Sequence, residues 1–217
     1  MAEILTTAGV PLLGYLLGAV PFALLIGGMV GIDLRTEGTG NVGAGNLTKV
    51  AGLPYGLAAA ILDGLKGLVP VLIARRMGLT DGLAAAAGVA AVLGHNWSIY
   101  LRSRSGRGLA TSVGVMVGLA PSLLVWTGLW SVIGWWIGGG LGGFIGWSLL
   151  GPVAVVAGHS RAVMLTAFTL SLIVFLRRAQ GRAGDSFEWR DLAARIVWDT
   201  DHKPEAMDEG AAERPVR

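Results

Sequence analysis

The chain has 217 residues, 53% hydrophobic and only 14% charged, with a net charge of +3 and a mean hydropathy of +0.63. Soluble domains carry roughly 25% charged residues, so a water-soluble globular fold is excluded, and the apolar residues fall in blocks near bilayer length. With no cysteine, disulfides, thiolate metal sites and cysteine nucleophiles are excluded too.

The apolar run to Ile32, preceded by acidic Glu3 and no basic leader, reads as a first span over residues 8–32 and not as a cleaved signal. Pro11 and Pro21 lie within it, and a proline inside a helix usually kinks it. A glycine-rich loop follows from Asp33 to about Leu53. Span two runs from about Pro54 to Ala74, carries Asp63 and Lys66, and ends at Arg75-Arg76. Span three covers about 81–101 and carries His95 and Asn96 near its end. After the basic loop Arg102-Ser103-Arg104-Ser105-Gly106-Arg107-Gly108, the run from Leu109 to Gly158 has no charged residue. At about 20 residues per span it holds two long spans or three short ones. Breaks at Pro121 and Gly138–Gly140 make three. The last span runs from about Ala162 to Leu176 and stops at Arg177-Arg178.

The predicted fold is therefore an all-α, polytopic integral membrane helix bundle of about seven transmembrane helices. Its 35 glycines, with no G-X-Y period, fit close helix packing through small residues. With the N-terminus outside and the C-terminus cytoplasmic, Arg35, Lys49, Arg102, Arg104, Arg107, Arg177, Arg178 and Arg182 face the cytoplasm. Only Arg75, Arg76 and Arg161 then lie outside, which obeys the positive-inside rule. The transmembrane domain is expected to fill residues 1–182. Beyond it, Trp189, Leu192, Ala193, Ile196 and Val197 form one apolar helical face, so 183–198 reads as an amphipathic interfacial helix. Residues 199–217 are charged, have little to bury, and read as a disordered cytoplasmic tail.

Two loops on the predicted cytoplasmic face carry the chemistry. Gly38-Thr39-Gly40-Asn41-Val42-Gly43-Ala44-Gly45-Asn46 has four glycines that let successive N–H groups line an anion-binding concavity. Thr39, Asn41 and Asn46 add side-chain donors, and Arg35 and Lys49 flank it with positive charge; an ordinary glycine-rich turn between helices is the plain alternative. The second loop is a glycine-broken turn leading into a helix at Leu109-Ala110-Thr111-Ser112, where free N–H groups favour an anion. Arg104 and Arg107 can bind phosphate oxygens in forked pairs, or they are ordinary arginines obeying the topology rule. Asp63 and Lys66 share a helix face deep in the apolar region, lining a site or neutralising one another between helices. His95, with Asn96, ends span three and is either a structural histidine or part of the site. His95, His159 and His202 lack metal-ligand spacing, and no P-loop or His-x4-Asp motif is present. No metal, cofactor or nucleic acid is expected.

These residues, in this order, resemble the bacterial acyl-phosphate:glycerol-3-phosphate acyltransferase family over roughly residues 18–112. Gly18-Ala19-Val20-Pro21-Phe22 is similar to the family's Gly-Ser-Ile-Pro-Phe. Gly38 to Asn46 is similar to its Gly-Ser-Gly-Asn-Pro-Gly-Ala-Thr-Asn, with Thr39, Val42 and Gly45 differing, and Lys49 matches its following basic residue. Asp63, Lys66 and Gly67 match Asp-x-x-Lys-Gly. Gly94-His95-Asn96, then Arg104-Ser105-Gly106-Arg107-Gly108-Leu109-Ala110-Thr111, match Gly-His-Asn and Lys-Gly-Gly-Lys-Gly-Val-Ala-Thr. A third family motif, His-Arg-x-Asn-Ile-like, falls on Arg177-Arg178-Ala179-Gln180-Gly181, where Arg178 matches and no histidine does.

The resemblance implies transfer of a fatty acyl group from acyl phosphate to the 1-hydroxyl of glycerol 3-phosphate, at the cytoplasmic face of a bacterial inner membrane and among its lipids. It implies that Thr39, Gly40, Asn41, Gly43, Asn46 and Lys49 bind a substrate phosphate. Arg104 and Arg107 would bind the second phosphate or stabilise the transition state. His95 and Lys66 would orient groups at the reaction centre, with Asp63 fixing Lys66. Asn96, Gly106, Gly108, Thr111 and Arg178 complete the substrate-binding set. Two other readings stand beside it: a transporter of a small phosphorylated anion, and a non-catalytic lipid-binding relative suggested by the altered third motif.

Overall fold

The computed structural model describes residues 2–101, 103–136 and 141–180. The breaks expected at Gly138–Gly140, the interfacial helix at 183–198 and the tail at 199–217 lie outside the described residues.

The described chain is helical apart from one two-residue strand pair. In order it runs α1 (Ala2–Ala19), α2 (Phe22–Met29), α3 (Ala44–Ala51), α4 (Leu53–Arg76), α5 (Asp81–Asn96), β1 (Trp97–Ser98), β2 (Ser103–Arg104), α6 (Leu109–Leu119), α7 (Leu123–Trp136), α8 (Leu141–Ser148), α9 (Leu150–Val156) and α10 (Arg161–Ala179). β1 and β2 pair antiparallel, Trp97 with Arg104 and Ser98 with Ser103. Among the described residues, three helical stretches are long and apolar enough to cross a membrane: Thr6–Met29, Leu53–Arg76 and Arg161–Ala179.

The two prolines of the first span behave differently. Helix α1 passes through Pro11 but stops before Pro21, because proline lacks an N–H and drives the preceding residue away from helical angles. The Val20 carbonyl is thereby released from the helical ladder. The break near Pro121 is present, between α6 and α7. Helix α6, with 11 residues, is shorter than the roughly 20 that cross a bilayer. The loop expected to run unbroken to Leu53 instead folds into α3 over its second half, so Asn46 and Lys49 sit on a helix.

Helix α4 shows how the bundle is sorted. Its outward positions, Leu57, Ile61, Leu65 and Leu72, are exposed, while Gly56, Ala59, Asp63, Lys66 and Gly67 are buried. Large apolar groups outside and small or polar groups inside is the arrangement a lipid solvent favours, since lipid gives no reward for burying leucine. Small residues then bring backbones together. A Cβ on Gly114 of α6 would strike the Gly64 carbonyl oxygen of α4, and one on Gly67 would strike the Thr111 carbonyl oxygen. The pair α1 and α5 meets in the same way, Gly14 and Gly18 lying against Ala87 and Ala91. The main core, which includes Val71, Val92, Val115, Met116, Leu150 and Leu170, fills the space between these crossings. A smaller cluster of Ala23, Leu34, Leu47 and Ala59 ties the 33–52 segment to the bundle.

The α4–α6 crossing supplies a stability test. Gly114→Leu is expected to destabilise the protein by about 1–3 kcal/mol, the range for forcing bulk into a packed contact, seen as a lower unfolding temperature in detergent. Gly128→Ala, where an added Cβ meets nothing within 4 Å, should stay within about 0.5 kcal/mol.

Candidate active site

The α2–α3 loop, the α5–α6 connection and the end of α10 come together in one place. They touch there. A Cβ on Gly43 would lie 3.8 Å from the Gly106 Cα, and Arg177 of α10 donates to the Ser105 carbonyl at 2.7 Å. The two glycine-rich loops are thus neighbours, as one site for two phosphates requires.

The first loop is shaped from within. Gly38 and Gly40 have φ of +60° and +69°, angles that cost other residues strain. Asn46 reaches back from α3 and staples the turn. Its Oδ1 accepts from the Thr39 N–H at 2.8 Å, and its Nδ2 donates to the Glu37 carbonyl at 2.9 Å and the Leu34 carbonyl at 3.3 Å. Both N–H bonds of its amide are therefore used inside the protein, and the expectation that Asn46 donates to a phosphate gives way to a structural role. Thr39 Oγ1 accepts from the Asn41 N–H at 3.4 Å. Thr39, Gly40 and Asn41 are half-buried, and Lys49 is exposed. Gly43 is the N-cap of α3, so the α3 N–H groups open at this turn. Arg35 does not act as an unpaired positive flank: its guanidinium forks onto Asp33 at 2.8–3.2 Å. That hydrogen bonding holds the Asp33 carboxyl at about 2.

The second loop ends at Gly108, the N-cap of α6, with φ of +76°. Thr111 and Ser112 follow in the first turn, fully buried, with hydroxyls that have no hydrogen-bond partner among the described residues. Asn96 packs its side chain against Gly108, where a Cβ would come 2.6 Å from Oδ1, and neither its Oδ1 nor its Nδ2 has a hydrogen-bond partner among the described residues. Buried polar groups are normally satisfied, and four such atoms without a partner among the described residues gather beside the α6 N-terminus. Arg107 is half-buried and close enough to Arg178 for their charges to repel. Arg178 stacks on Phe144, 5.0 Å from the ring centroid. Arg104 enters through its backbone pairing with Trp97.

Beneath the loops lies a buried charged layer. Lys66 Nζ is 2.8 Å from Asp63 Oδ1, a charge contact off the hydrogen-bond direction, since Oδ1 lacks a well-aligned donor. Lys66 also donates to the Val20 carbonyl at 2.8 Å and stands 5.7 Å from the Phe22 ring. The Pro21 break thus exposes the carbonyl that fixes the lysine. His95 Nδ1 is 3.7 Å from Asp63 Oδ1. On its other side, a Cβ on Gly106 would strike His95 Nε2. His95, Asp63 and Gly106 therefore form a continuous chain from the helix interior to the second loop.

Two features escape a reading by sequence spacing. Asp63 and His95 are 32 positions apart on different helices, so no local motif pairs them. Arg177 looks like a topology marker in sequence, yet it is buried and bound to the second loop. Its signals in the sequence were a charge at the very end of an apolar run and its place at the start of the third family motif.

Asn46→Ala would leave the Leu34 carbonyl and the Thr39 N–H without their partner, while the Glu37 carbonyl keeps the Gly40 N–H. A loss of about 1–3 kcal/mol is expected, the cost of unsatisfied buried groups, measured by thermal unfolding. A neutral result would return Asn46 to the ligand-facing set.

A family model described as glycerol-3-phosphate acyltransferase matches residues 8–182. Among relatives, a glycerol-3-phosphate acyltransferase of Geobacter metallireducens is 46% identical over 121 residues, 56% of this chain and 60% of the relative. One of Thermus thermophilus is 45% identical over 116 residues, 54% of this chain and 58% of the relative. The chain thus spans less than two thirds of the length of these curated relatives. A crystal structure of PlsY (YgiH), an integral membrane glycerol 3-phosphate acyltransferase in its glycerol 3-phosphate form, superposes with a TM-score of 0.77 at 29% identity, covering 88% of this chain and 94% of that one. Its lysophosphatidic acid form superposes with a TM-score of 0.76 at 28% identity, covering 88% and 93%. On the family match over residues 8–182 and this shared fold, the chain belongs to the glycerol-3-phosphate acyltransferase family.

Proposed function

We propose that the protein transfers a fatty acyl group from acyl phosphate to the 1-hydroxyl of glycerol 3-phosphate, releasing lysophosphatidate and inorganic phosphate. The observation that carries this reading is the contact of the two glycine loops at Gly43 and Gly106, each opening onto a helix N-terminus. Such termini attract anions, and this reaction brings two phosphates together.

The chemistry asks little of a protein nucleophile. Acyl phosphate is a mixed anhydride, already activated. The glycerol hydroxyl oxygen attacks the acyl carbonyl carbon, the carbon–oxygen bond to phosphate breaks, and the phosphate leaves with the electron pair. The hydroxyl proton passes to that phosphate. The protein's task is placement, which is worth about 7–11 kcal/mol of barrier, and stabilisation of charge growing on the carbonyl oxygen.

Thr39, Gly40, Asn41, Gly43 and Lys49 hold one phosphate from the α3 side. Arg104, Arg107, Gly106, Gly108, Thr111 and Arg178 hold the other from the α6 side. Lys66, fixed between Asp63 and the Val20 carbonyl, supplies positive charge from below. His95, backed by Asp63, keeps the Gly106 turn in place, and Asn96 offers its unsatisfied amide beside Gly108. The acyl chain lies between glycine-rich helices, reached from the lipid. The chain makes seven helical passes with its N-terminus outside, which puts the site at the cytoplasmic face of a bacterial inner membrane. The order of the described helices fits that count when α1 is taken with α2 and α8 with α9, with α4, α5, α6, α7 and α10 making one pass each and α6 a short one.

Purified protein given acyl phosphate and glycerol 3-phosphate is expected to release phosphate and form lysophosphatidate in equal amounts. Arg104→Ala and Asn41→Ala should each lower turnover at least about tenfold, a loss of about 1.4 kcal/mol of transition-state binding, in protein that still folds and inserts. Wild-type protein that forms no lysophosphatidate overturns the proposed reaction, and flux of glycerol 3-phosphate into liposomes would then favour a transporter.

A further inference from the structure

We infer that Arg177 is a positioning residue: it turns the Ser105 and Gly106 carbonyls toward α10 and so aims the Gly106 and Arg107 peptide N–H groups the opposite way, at a substrate phosphate. The inference rests on the acyl-transfer reading of the site and adds to it a residue that acts through the backbone of the second loop.

The geometry is specific. Arg177 closes the last turn of α10 and is buried. Its Nη2 donates to the Ser105 carbonyl at 2.7 Å and to the Gly106 carbonyl at 3.2 Å, and its Nε donates to the Gly106 carbonyl at 3.3 Å. Nη1 donates to Gln180 Oε1 at 3.1 Å. The Trp97 ring lies 5.8 Å away, under the guanidinium. The fork is thus gripped by a side-chain oxygen and an aromatic face while two of its nitrogens take successive backbone carbonyls.

In a planar trans peptide the C=O and the N–H point in opposite directions. The Ser105 carbonyl shares its peptide with the Gly106 N–H, and the Gly106 carbonyl shares its peptide with the Arg107 N–H. Fixing both carbonyls on α10 therefore fixes both N–H groups facing away from it. Glycine lets Gly106 turn freely, so without an outside clamp the two peptides could rotate. His95 Nε2 limits that turn on one side, and Arg177 holds it on another. A planar fork with donors in fixed directions suits this task, whereas a lysine ammonium is a point charge and does not.

The test uses the full chain in lipid nanodiscs, with Arg177→Lys, Arg177→Gln and the milder Gln180→Ala. Two quantities are read on folded, monodisperse protein: the KM and kcat for each substrate, and the concentration of inorganic phosphate that half-maximally raises the unfolding temperature. Arg177→Lys is expected to raise the KM for one phosphate-bearing substrate at least about tenfold, the scale of one lost charged hydrogen bond. The half-saturating phosphate concentration should rise in parallel, with kcat much less affected. Gln180→Ala should move both in the same direction by roughly threefold, even if both Arg177 variants fail to fold. Unchanged KM and phosphate midpoint in the variants that fold, or a loss seen only as less folded protein, overturns the inference. Wild-type protein that binds phosphate without turnover overturns the acyl-transfer reading while the phosphate midpoint still tests Arg177. Wild-type protein that does neither overturns both.

Discussion

The candidate site depends on one juxtaposition: the first loop lies beside the second, with a Cβ on Gly43 at ordinary contact distance, 3.8 Å, from the Gly106 Cα. Two loops that each begin a helix can share a ligand only if little stands between them. The missing side chain at Gly43 widens that gap, while a side chain on Gly106 would meet His95 instead. The gap is also enforced from below, because His95 Nε2 occupies the space a side chain on Gly106 would need. One histidine thus holds the second loop at its height, and Asp63 sits behind that histidine at 3.7 Å.

The buried charges follow from the same constraint. A lysine and an aspartate inside an apolar bundle are costly unless each finds partners. Lys66 finds two, Asp63 and the Val20 carbonyl. The second exists because Pro21 interrupts the first span. A feature that looks like a defect in a membrane helix thus supplies an oxygen to the charged layer beneath the site. The unsatisfied atoms of Asn96, Thr111 and Ser112 lie at the α6 end of that layer.

Much of this was legible in the residues themselves. Apolar block lengths marked the candidate membrane spans, Pro121 marked the α6–α7 break, and the two glycine loops are the turns that meet at Gly43 and Gly106. Elsewhere local signals misled. The glycines at 43 and 45 read as loop, but Ala44–Ala51 is a helix, because Leu47 has a buried contact with Leu34 and Ala23 to reach and tertiary packing overrides weak propensity. Asn46 read as a ligand donor because side-chain chemistry is visible in sequence and its direction is not. The Arg35–Asp33 clasp was missed because only the positive partner was weighed. Asp63 and His95 meet through helix packing over long range, which one sequence does not record.

The central claim is that both loops close on the same small phosphorylated ligands. Hydrogen exchange on the nanodisc-embedded protein, with and without glycerol 3-phosphate and inorganic phosphate together, tests it most directly. The account predicts that amide protection rises in both the 38–46 and the 105–112 segments and that the two rise together with concentration. Protection confined to one segment, or absent from both at concentrations that saturate turnover, would contradict it.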